Sequence, residues 1–171
     1  MRREIFNLKM NPWTADELLG SHLGHRLSIL HAYRNRAKLE ERVEFAIYRN
    51  AYNALLDASM VTCRSLWELI GVTVPSQPEK NPANPAVGPQ FRLWAKNIKP
   101  ILPPGIEILP FDEAQFNALP EKKSVILVLV AANKCVAHLD QYPNHGVGDA
   151  EMESAIDATL REIPKRIRKT Y

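Results

Sequence analysis

Cysteine and glycine are scarce in this 171-residue chain, and their scarcity excludes several kinds of site. Only two cysteines occur, Cys63 and Cys135, and each stands alone in an apolar helical pattern rather than in a CxxC pair. We therefore expect buried thiols, without a disulfide framework or a zinc site. The seven glycines form neither GxGxxG nor GxxxxGK, and no GxSxG occurs, which argues against a phosphate-binding loop and a hydrolase serine. No cofactor is expected.

Long hydrophobic runs are also missing. The longest, residues 125–132, is far shorter than the roughly 20 residues that a membrane-spanning helix needs. The first residues contain no uninterrupted apolar stretch and no small-residue cleavage site, so we expect no secretory signal. These features predict a cytoplasmic protein without a membrane partner. The length suits a single domain over residues 1–171.

Metal-ligand patterns are equally sparse. His22 and His25 are three residues apart, a spacing compatible with a shared metal ion, but no third ligand follows on the same helical face. We expect these histidines and His31 to lie on a helix surface, and we expect no metal site.

Positive charge is concentrated at the C-terminal end. Residues 161–171 hold five basic residues against one acid, a net charge of +4, whereas the whole chain carries +3. Such a tail could contact phosphate, and the candidate nucleic-acid-binding residues are Arg161, Lys165, Arg168 and Lys169. The alternative is a solvated helix end whose cations compensate the helix dipole.

Helical periodicity dominates the first part of the chain. Thr14 and Glu17 have the spacing of a capping box, and leucines then recur at helical intervals, which predicts a first helix over residues 14–36. A long second helix is predicted over residues 39–70, because one apolar stripe runs through it. Gly71 is the expected C-terminal cap.

Two further helices are predicted in the second half. Residues 120–140, here called the motif helix, begin with Pro120 in the first turn and are apolar on nearly all sides, so this helix should lie at the centre of the fold. Its β-branched residues would also permit a strand, but the pattern is longer than a normal strand. Asp149 is expected to cap a last helix over residues 149–169, with a kink at Pro164.

A proline-rich connection separates the two halves. Nine of the thirteen prolines fall between residues 72 and 110, and we expect residues 72–112 to form an irregular excursion around the outside of the helices. A short helix is predicted within it over residues 91–98, and Asp112 is expected to cap a short turn after it. The alternative is an exposed proline-rich ligand for a partner. The predicted fold is an all-α bundle of four principal helices with one long connection.

The motif helix ends in a cluster of residues with chemical potential, NKCVAHLD, from Asn133 to Asp140. Lys134 and His138 are one helical turn apart, and a histidine there can act as a general acid or base near neutral pH. RNA cleavage without a metal needs such a group together with a cation that stabilises the transition state. Asp140 could fix the His138 tautomer or begin the following loop. The alternative role of His138 is an interaction with the helix dipole and the terminal carbonyls.

This segment, with the stretch CRSLWELIG at residues 63–71, resembles the HEPN superfamily (higher eukaryotes and prokaryotes nucleotide-binding domains), many of whose members are metal-independent RNases. The resemblance implies a HEPN-like helical bundle and a homodimer that brings two motifs into one cleft. In active relatives an Arg, a polar residue and a later His form the motif. Here Ala132 stands at the position of the Arg, Asn133 at the polar position and His138 at that of the His.

Two candidate cations could replace the missing arginine. Arg64 resembles an arginine in the second helix of HEPN-like bacterial proteins, although its alternative role is an ion pair with Glu68 four residues on. Lys134 is the other candidate, but it offers a point charge rather than a bidentate fork.

Two functions follow as hypotheses. The first is a catalytically silent HEPN-like module that binds a nucleotide, RNA or a protein partner at the motif-helix cleft. The second is a metal-independent endoribonuclease of a defence or stress system that uses His138 as general acid or base. Loss of the motif arginine should remove about 3 kcal/mol of transition-state stabilisation, roughly a hundredfold in rate, which favours the silent module.

Overall fold

The computed structural model describes residues 14–40, 44–74, 91–93, 102–137 and 147–170, and most of them are helical. A π-helical segment, Glu17–Leu23, runs directly into α1 (Gly24–Arg34). The other helices are α2 (Ala37–Glu40), α3 (Phe45–Leu69), α4 (Glu113–Asn117), α5 (Lys122–Ala137) and α6 (Asp149–Arg166). The strands are β1 (Val72–Thr73), β2 (Arg92–Leu93), β3 (Ile106–Ile108) and β4 (Ile167–Lys169). The predicted predominance of α-helix is confirmed.

The first helix begins at its predicted capping box. The backbone N–H of Thr14 donates to the Glu17 carboxylate at 2.8 Å, and the backbone N–H of Glu17 donates to Thr14 Oγ1 at 3.2 Å. The wide π-helical turn that follows was not expected, and none of its residues is buried. The helix ends at Arg34 instead of residue 36, because a turn at residues 35–36 interrupts it.

The second predicted helix begins later than expected and ends where expected. α3 starts at Phe45 rather than residue 39, because Glu44 has extended backbone angles (φ −54°, ψ 141°) and α2 is a separate short helix. Gly71 follows the end of α3 with a φ of +92°. Glycine adopts this conformation without the steric cost that a Cβ atom would bring, which explains why the helix stops here.

The proline-rich connection contributes three short strands, β1, β2 and β3, where we expected only irregular chain and a short helix, and the fold remains mostly helical. β1 pairs with β2, and β3 pairs with β4, both antiparallel. The helix predicted over residues 91–98 is wrong at its beginning, where Arg92–Leu93 form β2. The last helix likewise ends at Arg166 instead of residue 169, and the chain continues as β4. Pro164 weakens this last helical turn, because it cannot donate a backbone hydrogen bond.

The predicted short turn and the motif helix are both present. Asp112 caps α4 and accepts a hydrogen bond from the Gln115 backbone N–H at 2.7 Å. α5 settles the choice between helix and strand in favour of helix. It starts at Lys122, so Pro120 lies in the preceding turn and not in the first helical turn. The predicted residues 138–140 of the motif helix lie outside the described part of the chain.

Contacts between α1, α3 and α6 fix their relative directions. Tyr33, near the end of α1, and Tyr52, in the first half of α3, both donate hydrogen bonds to Asp149 at the start of α6. Arg26, near the start of α1, donates instead to Ser65, near the end of α3. α1 therefore runs antiparallel to α3.

Two further contacts place α5 and α6. Trp67, late in α3, donates to Thr159 in the second half of α6 at 2.8 Å, so α3 and α6 run parallel. Glu121, just before α5, binds Arg161 of α6, so α5 and α6 are antiparallel. The end of α5 therefore lies on the same side as the end of α1 and the start of α6. We call this side the motif end.

The core lies between α3, α5 and α6, with α5 in the middle as predicted. α5 packs against both α3 and α6. Its fully or nearly fully buried side chains are Val125, Ile126, Val128, Leu129, Ala131 and Ala132. Among the described residues, no helix combines the length and apolarity needed to cross a membrane.

Candidate functional site

The predicted motif residues are only partly described. Asn133 lies on α5, is half-buried, and donates through its side-chain amide to the Val74 carbonyl at 3.3 Å. Lys134 belongs to the same helix. His138 and Asp140 lie outside the described residues, so their roles stay predictions. This hydrogen bond connects the motif helix to the residue that follows β1. Asn133 therefore has a structural role, and its amide is not presented to a substrate.

Arg64 forms the ion pair that its spacing allows. Its Nε donates to Glu68 Oε1 at 2.9 Å, and both side chains are 36% exposed. The guanidinium therefore lies along the surface of α3, beside a carboxylate one helical turn away. A partly exposed pair of this kind contributes little stability. It does neutralise the charge that Arg64 would need to stabilise a phosphate.

Three of the four basic candidates near the C-terminal end pair with carboxylates, Arg161 and Lys169 with distant ones and Lys165 with one in its own helix. Arg161 donates two hydrogen bonds to Glu121, at 2.9 and 2.7 Å, and these bonds lower the pKa of the Glu121 carboxyl group. Lys165 pairs with Glu162 at 3.3 Å, and Lys169 pairs with Asp16 at 2.9 Å.

Arg168 is exposed on β4, where it pairs in register with Glu107 of β3. The predicted nucleic-acid-binding residues thus lie around the end of α6, opposite the motif end. The structure does not bring them together with Asn133 and Lys134, which belong to the described part of the motif.

A polar cluster that the sequence did not reveal occupies the motif end. Gly148 caps α6, with its backbone N–H donating to Glu151, so Asp149 is the first helical residue and not the cap we predicted. One carboxylate oxygen of Asp149 accepts hydrogen bonds from the hydroxyls of both Tyr33, at 2.8 Å, and Tyr52. Its other oxygen pairs with Arg36 at 3.1 Å.

The cluster changes the acidity of its members. Hydrogen bonds from Tyr52 above all, and from Tyr33 and Arg36, lower the pKa of Asp149 against the opposing effect of burial. Burial above all, together with the hydrogen bond that each donates to Asp149, raises the pKa of both tyrosines. The carboxylate is therefore charged and both phenols are neutral throughout the physiological pH range. Neither tyrosine is prepared to act as a base.

Two arginines extend the cluster along α6. Arg36 pairs with Glu153 at 2.8 Å and lies over the Tyr33 ring at 4.3 Å, while Arg34 pairs with Asp157 at 3.0 Å. Burial would lower the pKa of Arg36, but its hydrogen bonds to Glu153 and Asp149 outweigh burial and raise it. With Asp149, three carboxylates face two guanidinium groups. Within this cluster the charges of Arg34 and Arg36 are therefore compensated by carboxylates.

The remaining candidate groups lie apart from this cluster. His25 and His31 are exposed on α1, and the described residues contain no group of three His, Cys, Asp or Glu side chains able to hold a metal ion. Cys63 is buried, and burial raises the pKa of its thiol to about 12, despite a hydrogen bond from Thr159. A thiol with this pKa is not a nucleophile at neutral pH.

Comparison with protein-family models, with curated proteins and with solved structures finds no match to this chain.

Proposed function

We propose that this chain is a HEPN-like module without catalytic activity that works by binding a protein partner, in the first place a second copy of itself. The observation that carries this proposal is the burial of Ala132, which is 0% exposed. Position 132 is where active relatives carry their arginine. An arginine at this position would place an unpaired charge inside an apolar core at high cost. The helix face that should carry the catalytic cation is thus a packing face.

The candidate replacement for that arginine supports the same conclusion. Arg64 is held by Glu68, and a phosphate would have to displace this carboxylate before the guanidinium could stabilise a transition state. Displacement would cost binding energy that an active site normally avoids by presenting its cation already oriented. Lys134 is the remaining candidate among the predicted cations.

The charge balance of the cluster around Asp149 favours a protein over a phosphate-bearing ligand. Arg34 and Arg36 are both engaged by carboxylates of α6. Nucleic-acid sites need uncompensated positive charge, because binding is driven largely by phosphate neutralisation. Three carboxylates around two arginines oppose that attraction.

The exposed face of α3 is the reason for proposing a second copy of the chain as this partner. The exposed large hydrophobic side chains among the described residues are Ile47, 57% exposed, and Val61, 38% exposed. Ala51, Ala54 and Ala58 lie between them at alternating intervals of three and four residues. This spacing is that of the contact seam between paired helices, and small side chains allow close approach. A symmetric dimer would cover the seam with the same seam of the other copy.

An RNA cleavage assay tests the absence of catalysis. The purified chain is incubated with a fluorescently labelled RNA in excess EDTA, alongside His138→Ala and Arg64→Ala. We expect no cleavage above the protein-free control for any of the three, because Ala132 stands where active relatives carry the motif arginine and Arg64 is engaged by Glu68. The melting temperature of each variant is measured as the folding control.

The endoribonuclease alternative makes the opposite prediction. If the wild-type chain cleaves RNA in EDTA and His138→Ala abolishes cleavage without changing the melting temperature, the module is an enzyme and our proposal is wrong. Fluorescence anisotropy with the same RNA separates the remaining alternative. Saturable binding without cleavage would identify a nucleic acid, rather than a protein, as the partner.

A further inference from the structure

A half-open cavity of about 190 Å³ lies between the π-helical segment with α1, the end of α3 and the β3–β4 pair. Its walls come from separate parts of the chain. The π-helical segment contributes Leu18 and Leu23, α3 contributes Leu66, and the β3–β4 pair contributes Ile108 and Ile167. A predominantly apolar concavity with a few polar groups is the usual form of a small-molecule site.

The polar groups of this cavity lie together on one side. Arg26 of α1 donates one hydrogen bond to Ser65 Oγ, and the Ser65 hydroxyl donates to the Thr62 carbonyl at 3.1 Å. His22, one helical turn before Arg26, also lines the cavity. Among the described residues, Arg26 has no carboxylate within ion-pair distance. A guanidinium has five N–H donors, so most of those of Arg26 remain available to an anion.

The π-helical segment is a second, independent observation that indicates a functional site at this cavity. π-helical turns are rare, and they are found frequently at functional sites. Here the segment Glu17–Leu23 supplies three of the lining residues, and none of its residues is buried. The widened turn therefore shapes the cavity wall instead of filling the core.

We propose that this cavity binds a small amphiphilic carboxylate, with its hydrocarbon part among the leucine and isoleucine side chains and its carboxylate paired with Arg26. An apolar cavity of about 150 Å³ accommodates benzene, so the space here suits a hydrocarbon of about six to eight carbon atoms. Apolar burial supplies the affinity and the guanidinium supplies the selectivity for an anion. This site is separate from the motif end and does not depend on the function proposed above.

Titration with hexanoate and octanoate, followed by ¹H–¹⁵N NMR and by calorimetry, tests the site. We expect a Kd between about 0.1 and 1 mM, with shifts concentrated in the π-helical segment and around Leu66. Acetate, which lacks the hydrocarbon part, and hexanol, which lacks the charge, should each bind at least about tenfold more weakly.

Arg26→Gln is the decisive variant, because glutamine keeps a donor for Ser65 but removes the charge. It should weaken hexanoate binding by about tenfold, since the side chain is exposed and water screens part of the attraction. Arg49→Gln, at an exposed position of α3 outside the cavity lining, is the matched control and should bind like the wild type.

Three results would overturn the inference. They are no hexanoate binding at about 10 mM, a concentration well above the expected Kd, equal binding of hexanoate by wild type and Arg26→Gln, and equal binding of acetate and hexanoate. A melting temperature of Arg26→Gln close to that of the wild type confirms that the variant is folded.

Discussion

Single residues at the motif end show how buried polar groups are satisfied in this fold. Tyr33 is completely buried, and its hydroxyl reaches the Asp149 carboxylate. A buried phenol needs such a partner, because an unsatisfied hydroxyl costs about 1 to 3 kcal/mol. Asp149 serves Tyr33, Tyr52 and Arg36 at once, so a single carboxylate joins α1, α3 and α6.

Replacing Asp149 by Asn tests how much these contacts of Asp149 contribute to stability. The amide keeps an acceptor for the tyrosine hydroxyls but loses the charge that attracts Arg36, so we expect the free energy of unfolding to fall by about 1 kcal/mol at pH 7. Asp157→Asn on the same helix removes only a surface ion pair with Arg34 and should cost less, at most about 0.5 kcal/mol. Urea unfolding of the three proteins gives the comparison.

The stability difference between the wild type and Asp149→Asn should depend on pH. The pKa of Asp149 is lower in the folded protein than in the unfolded chain, so its contribution to stability is complete above the unfolded value of about 4. The contribution disappears as the pH falls through the folded value. The difference between wild type and Asp149→Asn should therefore shrink below about pH 4. An equal cost for Asp149→Asn and Asp157→Asn, or a difference independent of pH, would contradict the role given to Asp149.

At the scale of the element, the ends of the helices are determined by local sequence. Thr14 with Glu17 and Asp112 with Gln115 form the expected backbone and side-chain hydrogen bonds, and Gly71 has the left-handed conformation expected of a C-terminal cap. These interactions join residues three apart or depend on one residue, which is why the sequence could predict them.

Elements that depend on partners far away in the chain were not predicted, because a local sequence pattern does not identify a distant partner. The strand Ile106–Ile108 is too short to show a clear alternation, and its pairing partner Ile167–Lys169 lies some 60 residues away. Tyr52 and Asp149 are 97 residues apart in the chain. A tyrosine on the apolar face of a predicted helix was the one available signal, because its hydroxyl must find a polar partner, but the sequence did not identify which one.

Gly71→Ala tests the assignment of the helix end. A side chain at a φ of +92° is strained, so we expect a loss of about 1 to 2 kcal/mol in the free energy of unfolding. Gly20→Ala is the matched control, since a Cβ atom there meets nothing within 4 Å. Because alanine favours helix over glycine, this control should be neutral or slightly stabilising. Thermal or chemical unfolding that shows equal effects at both positions would refute the assignment.

At the scale of the whole molecule, the helices bury one face of α3 and leave another exposed. Met60, Cys63 and Trp67 lie in the core, whereas Ile47 and Val61 face outward. Exposed hydrophobic side chains at regular helical spacing indicate a surface that another helix covers. Together with the ion pairs that engage Arg34 and Arg36 at the motif end, this exposed seam is the basis of our proposal that the chain acts by association.

The most direct test of that central claim is sedimentation equilibrium of the wild-type chain, Ile47→Lys and Asn53→Lys. We expect the wild type to be a dimer at a protein concentration of roughly tens of micromolar, which is well above the Kd of a typical specific complex. Ile47→Lys should shift it towards the monomer by at least about tenfold in Kd, because a buried charge replaces apolar contact. Asn53→Lys adds the same charge at an exposed position about a third of a turn away from the seam and should leave the dimer intact. A wild-type monomer at these concentrations, or a dimer unaffected by Ile47→Lys, would contradict the account.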